Sequence, residues 1–128
     1  MEILLMLTQP ASVAVADGIV YAGFVWNARN WLVAIDGENG TELWRSEISR
    51  GTVEPSVGLP AVANGVVYVP TGGDRNDTQG LVAVDATDGH IRWRFSPNDM
   101  AVSFSPVALV GDNLYIVCNN HLYALTDR

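Results

Sequence analysis

The sequence predicts an all-β chain built from repeated four-stranded antiparallel units, the last of them incomplete. Three observations carry this reading. A block ending in tyrosine recurs as Val15-Ala16-Asp17-Gly18-Ile19-Val20-Tyr21, as Val62-Ala63-Asn64-Gly65-Val66-Val67-Tyr68 and, more loosely, as Val110-Gly111-Asp112-Asn113-Leu114-Tyr115, which sets Tyr21, Tyr68 and Tyr115 47 residues apart. The apolar runs are short, rich in Val, Ile, Tyr, Phe and Trp, and punctuated by Asp-Gly, Asn-Gly, Gly-Gly and Pro. No segment keeps a 3.6-residue apolar period over three turns. The 128 residues amount to about 2.7 repeats.

Each unit supplies its strands in a fixed order. The first strand follows a proline: Pro10, Pro60 or Pro106. The second ends in the tyrosine block, and Asp17-Gly18 or Asn64-Gly65 joins the two as a tight hairpin, where glycine accepts positive φ without steric cost. The third is Leu32-Val33-Ala34-Ile35-Asp36, matched by Leu81-Val82-Ala83-Val84-Asp85 and by Leu122-Tyr123-Ala124-Leu125. Asp36 and Asp85 are placed to fold their carboxylates onto backbone N–H groups of the next turn. Gly40 and Gly89 take the left-handed position before a fourth strand that carries Trp44 or Trp93. In the third unit Thr126-Asp127-Arg128 follows the third strand, and the turn and Trp strand are missing. The expected division is an N-terminal strand or truncated start (1–9), two full units (10–50 and 51–98) and a partial one (99–128).

Composition narrows the partners. The chain is 48% hydrophobic and 16% charged, which excludes an extended disordered tail. Fourteen acidic residues stand against seven basic ones, all arginine, for a net charge of −7. Nucleic acid needs a basic surface, so it is excluded as a partner, and an anionic membrane surface is disfavoured for the same reason. Two accounts explain an acidic chain without lysine: adaptation to salt, or a GC-rich codon bias that explains the acid excess less well. A single cysteine, Cys118, rules out an internal disulfide, and its strand-like surroundings read as a buried small hydrophobe. No run approaches the ~18 apolar residues of a membrane span, so no membrane insertion is expected. The opening Met1-Glu2-Ile3-Leu4-Leu5-Met6-Leu7 lacks the basic region and apolar length of a signal peptide.

The two complete units share more than the tyrosine block. Residues 34–44 align without a gap on residues 83–93, with the common pattern A-x-D-x-x-N/D-G-x-x-x-W. Units of this length with this motif resemble the PQQ-like repeat of quinoprotein-dehydrogenase-type β-propellers. The resemblance implies four-stranded antiparallel blades and an incomplete propeller, here about 2.7 blades. It also implies a tryptophan-docking role: Trp44 and Trp93 pack between neighbouring blades, with Ala34, Asp36 and Gly40, and Ala83, Asp85 and Gly89, completing the blade motif. That family usually has Thr before the glycine, where Asn39 and Asp88 stand here.

Candidates for chemistry are few. The loop from Gly72 to Gly80 offers Asp74, Asn76 and Asp77 as oxygen ligands for Ca²⁺. The spacing is not that of an EF-hand, and Asp, Asn and Gly are also what a solvated hairpin uses. The matching loop of the first unit holds Trp26, Asn27, Arg29 and Trp31, a set suited to a recognition surface or to packing on an adjacent blade. His90 and His121 share no motif, so a metal pair is not expected. Arg92-Trp93-Arg94 alternates on a strand, which turns both arginines away from the tryptophan. No nucleophilic triad, phosphate loop, CxxC or HExxH is present.

The resemblance reaches as far as fold. A quinoprotein holds PQQ over a tryptophan with Ca²⁺ ligated by Glu, Asn and Asp, and that constellation cannot be placed on this sequence. The leading expectation is a non-catalytic propeller segment acting as a protein-binding or scaffold module without cofactor. The alternative is part of a PQQ-dependent dehydrogenase, with PQQ and Ca²⁺ held in other blades. A closed propeller needs ~4–8 blades. Three outcomes therefore stand open: part of a longer propeller, self-assembly into a ring, or donation of residues 2–7 as a strand to a neighbouring blade. Location outside the cytoplasm or on the cell surface follows from the resemblance alone.

Overall fold

The computed structural model describes residues 12–27, 29–50, 56–57, 59–72, 80–96, 107–118 and 121–126. Every regular element among them is a strand. Strands β1 (Ser12–Ala16), β2 (Ile19–Trp26), β3 (Arg29–Asp36) and β4 (Glu42–Arg50) form the first antiparallel sheet in sequential order. The second sheet contains β5 (Ser56–Val57), β6 (Ala61–Ala63), β7 (Val66–Gly72), β8 (Gly80–Asp85) and β9 (Ile91–Phe95). The third contains β10 (Ala108–Val110), β11 (Asn113–Cys118) and β12 (His121–Thr126). These are three blades of an incomplete propeller, each a simple up-and-down meander.

One element was not legible. The sequence predicts a single strand after Pro60, yet β7 pairs along one edge with two short strands, β6 opposite Val66–Tyr68 and β5 opposite Thr71–Gly72. β5 also approaches β2 and β3 of the first blade.

The β1–β2 turn shows why Asp-Gly and Asn-Gly recur. Asp17 and Gly18 both have positive φ (53° and 77°), as do Asn64 and Gly65 (52° and 76°). That pairing is the type I′ geometry whose twist matches the flanking strands. Asp and Asn tolerate the left-handed region better than other side chains, and glycine takes it freely.

Most of the buried apolar surface lies between blades. Tyr21, Leu32, Ala34 and Ile48 of the first blade pack on Val67, Val69, Val82 and Val84 of the second. The other face of the second blade presents Val66, Tyr68, Leu81 and Ala83 to Leu114 and Ile116 of the third. Both central strands of the second blade are thus buried on alternating sides, which is why they read as continuous apolar runs. A third cluster, Ala22, Phe24, Val33 and Ile35, lies buried on the far face of the first blade. At the opposite end of the stack, Val110, Val117 and Leu122 stay exposed on the outer face of the third blade.

Candidate functional site

The turn between the third and fourth strands has the same construction in both complete blades. Asp36 accepts a hydrogen bond on Oδ1 from the Glu38 amide at 2.9 Å, and Asp85 accepts one from Thr87 at 2.8 Å. Two residues later Asn39 accepts from the Thr41 amide at 2.9 Å and Asp88 from the His90 amide at 3.0 Å. Gly40 and Gly89 follow with φ of 77° and 85°. The amides of Gly37 and Ala86 donate to the carbonyls of Gly18 and Gly65, each at 2.9 Å, which ties this turn to the β1–β2 turn beside it. Asn39 and Asp88, which depart from the family's usual threonine, fill equivalent acceptor positions.

A bulge then redirects the fourth strand. Ala34 pairs with Trp44 and Ile35 with Glu42, so Leu43 has no opposite number; Ala83, Trp93, Val84 and Ile91 repeat this, with Arg92 as the extra residue. Trp44 and Trp93 thereby share a face with Tyr21 and Tyr68, at ring separations of 6.1 Å and 6.0 Å. The Trp44 indole continues onto the next blade, where Nε1 donates to the Ala86 carbonyl at 3.0 Å. A Cβ on Gly89 would stand 2.5 Å from Trp44 Cε3, so only glycine leaves room for the ring. Tyr21 is buried here, and burial together with Asp17 raises its phenol above the usual range. Arg92 and Arg94 are exposed on either side of half-buried Trp93, and Arg92 lies 3.7 Å from Asp85.

The β2–β3 hairpin is at the other end of the first blade. Trp26 pairs with Arg29 and Phe24 with Trp31, which puts Trp26, Arg29 and Trp31 on one face with Phe24. The Trp31 indole donates to the Trp26 carbonyl at 3.3 Å, with the two rings 6.5 Å apart. Trp26 is 47% exposed. Arg29 lies 3.5 Å from Glu47, and the Arg45 guanidinium sits over the Phe24 ring at 6.0 Å. Arg45 is itself held by Glu42 at 2.6 Å, and that bond keeps the Glu42 carboxyl below its ordinary range. Asn27 adopts φ 54° at the hairpin tip. The result is an aromatic surface flanked by two arginines, both anchored by carboxylates.

Other candidates fare differently. Asp74, Asn76 and Asp77 lie outside the described residues, as does the Cys118 side chain. His121 lies beside Tyr123, with ring centroids 6.1 Å apart and the planes tilted by 41°. His90, unassigned from sequence, comes together with Asp85 and Asp88, their potential ligand atoms within 4.8 Å of one another. The D-x-x-D-x-H order of the turn was the available signal. Its atoms already engage one another, with His90 Nδ1 at 2.6 Å from Asp88 Oδ1, and both residues are well exposed. Between the second and third blades, Asn64, Tyr68, Leu109, Asp112 and Leu114 line a cleft of about 130 Å³.

A stack of antiparallel blades, with Trp44 of the first laid on the turn glycine of the second, defines a PQQ-like repeat propeller segment. The chain belongs to the family described as outer membrane protein assembly factor BamB, whose model matches residues 7–128. No curated protein matches the chain in a sequence comparison.

Proposed function

We propose that the chain is a non-catalytic propeller segment that binds another protein through the β2–β3 end of its first blade, and that it works outside the cytoplasm. The observation that carries this reading is the Trp26–Arg29–Trp31 surface. Aromatic and arginine side chains supply most hot spots of protein interfaces, because large rigid rings and forked donors lose little freedom on binding. The Arg29–Glu47 and Arg45–Glu42 pairs hold the charged rim in place beforehand. The family description, which names a factor in protein assembly, agrees with such a role.

The reading assigns no cofactor to this chain. The Asp85–Asp88–His90 group lies on an exposed turn, unlike a calcium cage enclosed beneath a quinone. Two experiments test the proposal together. Capture of a partner on the immobilised chain should be lost in Trp26→Ala, whose fold is retained because the side chain is exposed. Dye reduction with an alcohol or sugar substrate should stay at background after incubation with PQQ and Ca²⁺. Reduction that requires PQQ would overturn the proposal in favour of a dehydrogenase segment.

A further inference from the structure

The hairpins that precede β2, β7 and β11 are equivalent in the repeat, yet the third is built differently. The first two are Asp17-Gly18 and Asn64-Gly65, with positive φ at both residues. The third is Gly111-Asp112, closed by the Val110–Asn113 pair. Here glycine comes first and carries φ 59°, whereas Asp112 stays out of the left-handed region. That order is the type II′ hairpin, which demands glycine only at its first central position and leaves the second open to a side chain. The third blade therefore presents a carboxylate where the second blade has Gly65. It does so at a cavity, for Asp112 lines the cleft of about 130 Å³ between these two blades, together with Asn64 and Tyr68.

We infer that this cleft binds a primary ammonium group on an aliphatic stem, the group that a lysine side chain carries. Three side chains offer oxygen there: the Asp112 carboxylate, the Asn64 amide and the Tyr68 phenol, the last on a residue only 5% exposed. An ammonium has three donors and no acceptor, so three oxygens, one of them charged, answer it. Ala63, Leu109 and Leu114 complete the lining with an apolar wall for the methylenes of the stem. The volume equals that of ~4 water molecules at ~30 Å³ each, room for the end of an alkyl chain and too little for a ring system. Calcium fits worse, since it takes about six to eight oxygen ligands and leaves the leucine wall unused. The chain has no lysine of its own to fill the cleft, and its charge of −7 draws cations toward it. Between the first two blades Gly65 replaces the carboxylate, so the set is particular to this junction. The inference is independent of the surface proposed above, which lies on the first blade.

Amide NMR spectra of the isotope-labelled full chain test it, with two probes at neutral pH, where an alkylamine is protonated. The probes are n-butylamine and a blocked Gly-Lys-Gly tripeptide. Both should shift the Asn64, Gly111 and Asp112 amides saturably, whereas n-butanol and the side-chain-acetylated tripeptide should not. Asp112→Asn should weaken binding of both probes by ~5-fold or more. Asp17→Asn, which removes the same charge from the hairpin of the first blade, should leave binding unchanged. Asparagine suits both turns, and an unchanged circular dichroism spectrum checks that each variant folds. Shifts from n-butylamine without the tripeptide would keep the site and assign it to a free amine. Absence of saturable shifts with either probe, an equal response to n-butanol, binding that survives Asp112→Asn, or its loss in Asp17→Asn would each overturn the inference.

Discussion

Replacing Gly89 by alanine measures how much the contact between the first two blades depends on the Trp44 seat. Two costs arise. The backbone holds φ 85°, and a Cβ in the left-handed region costs ~1–2 kcal/mol. The new methyl would also stand 2.5 Å from Trp44 Cε3 and 2.8 Å from Cδ2, so the indole must move. That movement strains a packed contact by ~1–3 kcal/mol. It also stretches the 3.0 Å bond from Nε1 to the Ala86 carbonyl, a bond whose net contribution is ~0.5–1.5 kcal/mol. Gly65→Ala separates the two costs, since its φ is 76° and a Cβ there meets nothing within 4 Å. Gly89→Ala should therefore destabilise by ~2–4 kcal/mol more than Gly65→Ala. Urea unfolding of the full chain, followed by far-ultraviolet circular dichroism, reads the difference. In a Trp44→Leu background the excess should largely vanish, because the ring that the methyl strikes is gone. Equal losses in the two alanine variants, or an excess that persists without Trp44, would refute the reasoning.

Three further outcomes concern solution conditions. Burial first, and Asp17 second, raise the Tyr21 phenol above 10.0. The stability this contributes is complete below the unfolded tyrosine range and lost as pH rises through the folded value, so melting temperature should fall in strong alkali, and Tyr21→Phe should lessen that fall. Asp88 is depressed below 3.8, first by the His90 amide and then by the His90 side chain. Its contribution is present above the unfolded carboxylate range and disappears as pH drops through the folded value. Asp88→Asn keeps an acceptor for the amide, so the gap between its melting temperature and that of the parent should narrow in acid. Finally, added salt screens the repulsion of a −7 chain, and melting temperature should rise with sodium chloride. A flat or falling profile would remove salt adaptation as the account of the acid excess.

How much of this was legible in the sequence depends on how local the cause is. The β1–β2 turns were readable because Asp17-Gly18 and Asn64-Gly65 state their own backbone geometry. The strand order followed from a repeat that the structure reproduces sheet by sheet. The bulge at Leu43 and Arg92 was not legible, since a strand with one extra residue has the same composition as one without it. The division of the strand beside β7 into β5 and β6 was equally hidden, because it depends on where β7 outruns β6 and not on any residue type. At the hairpin, the residues Trp26, Arg29 and Trp31 were identifiable as a group. That they share a face with Phe24, and that Glu47 and Glu42 hold the flanking arginines, required the register of three strands. The Asp85–Asp88–His90 cluster was not legible, because the turn motif already accounts for two of its members.

The repeat also separates residues that serve the stack from residues free to serve anything else. A position that must pack on the next blade meets the same neighbour in every unit, so it keeps its identity: tyrosine, leucine and alanine recur at three equivalent places, and the turn residues at two. Where the units disagree, stacking has not imposed the choice. The β2–β3 and β7–β8 connections hold equivalent places in the first two units, yet one carries two tryptophans and an arginine, the other Gly72 to Gly80 with acidic and amide residues. A surface made from such discordant positions can change without loosening the blades. That is the physical reason to look for partner recognition at Trp26 and Arg29, rather than at Trp44, which remains committed to the next blade.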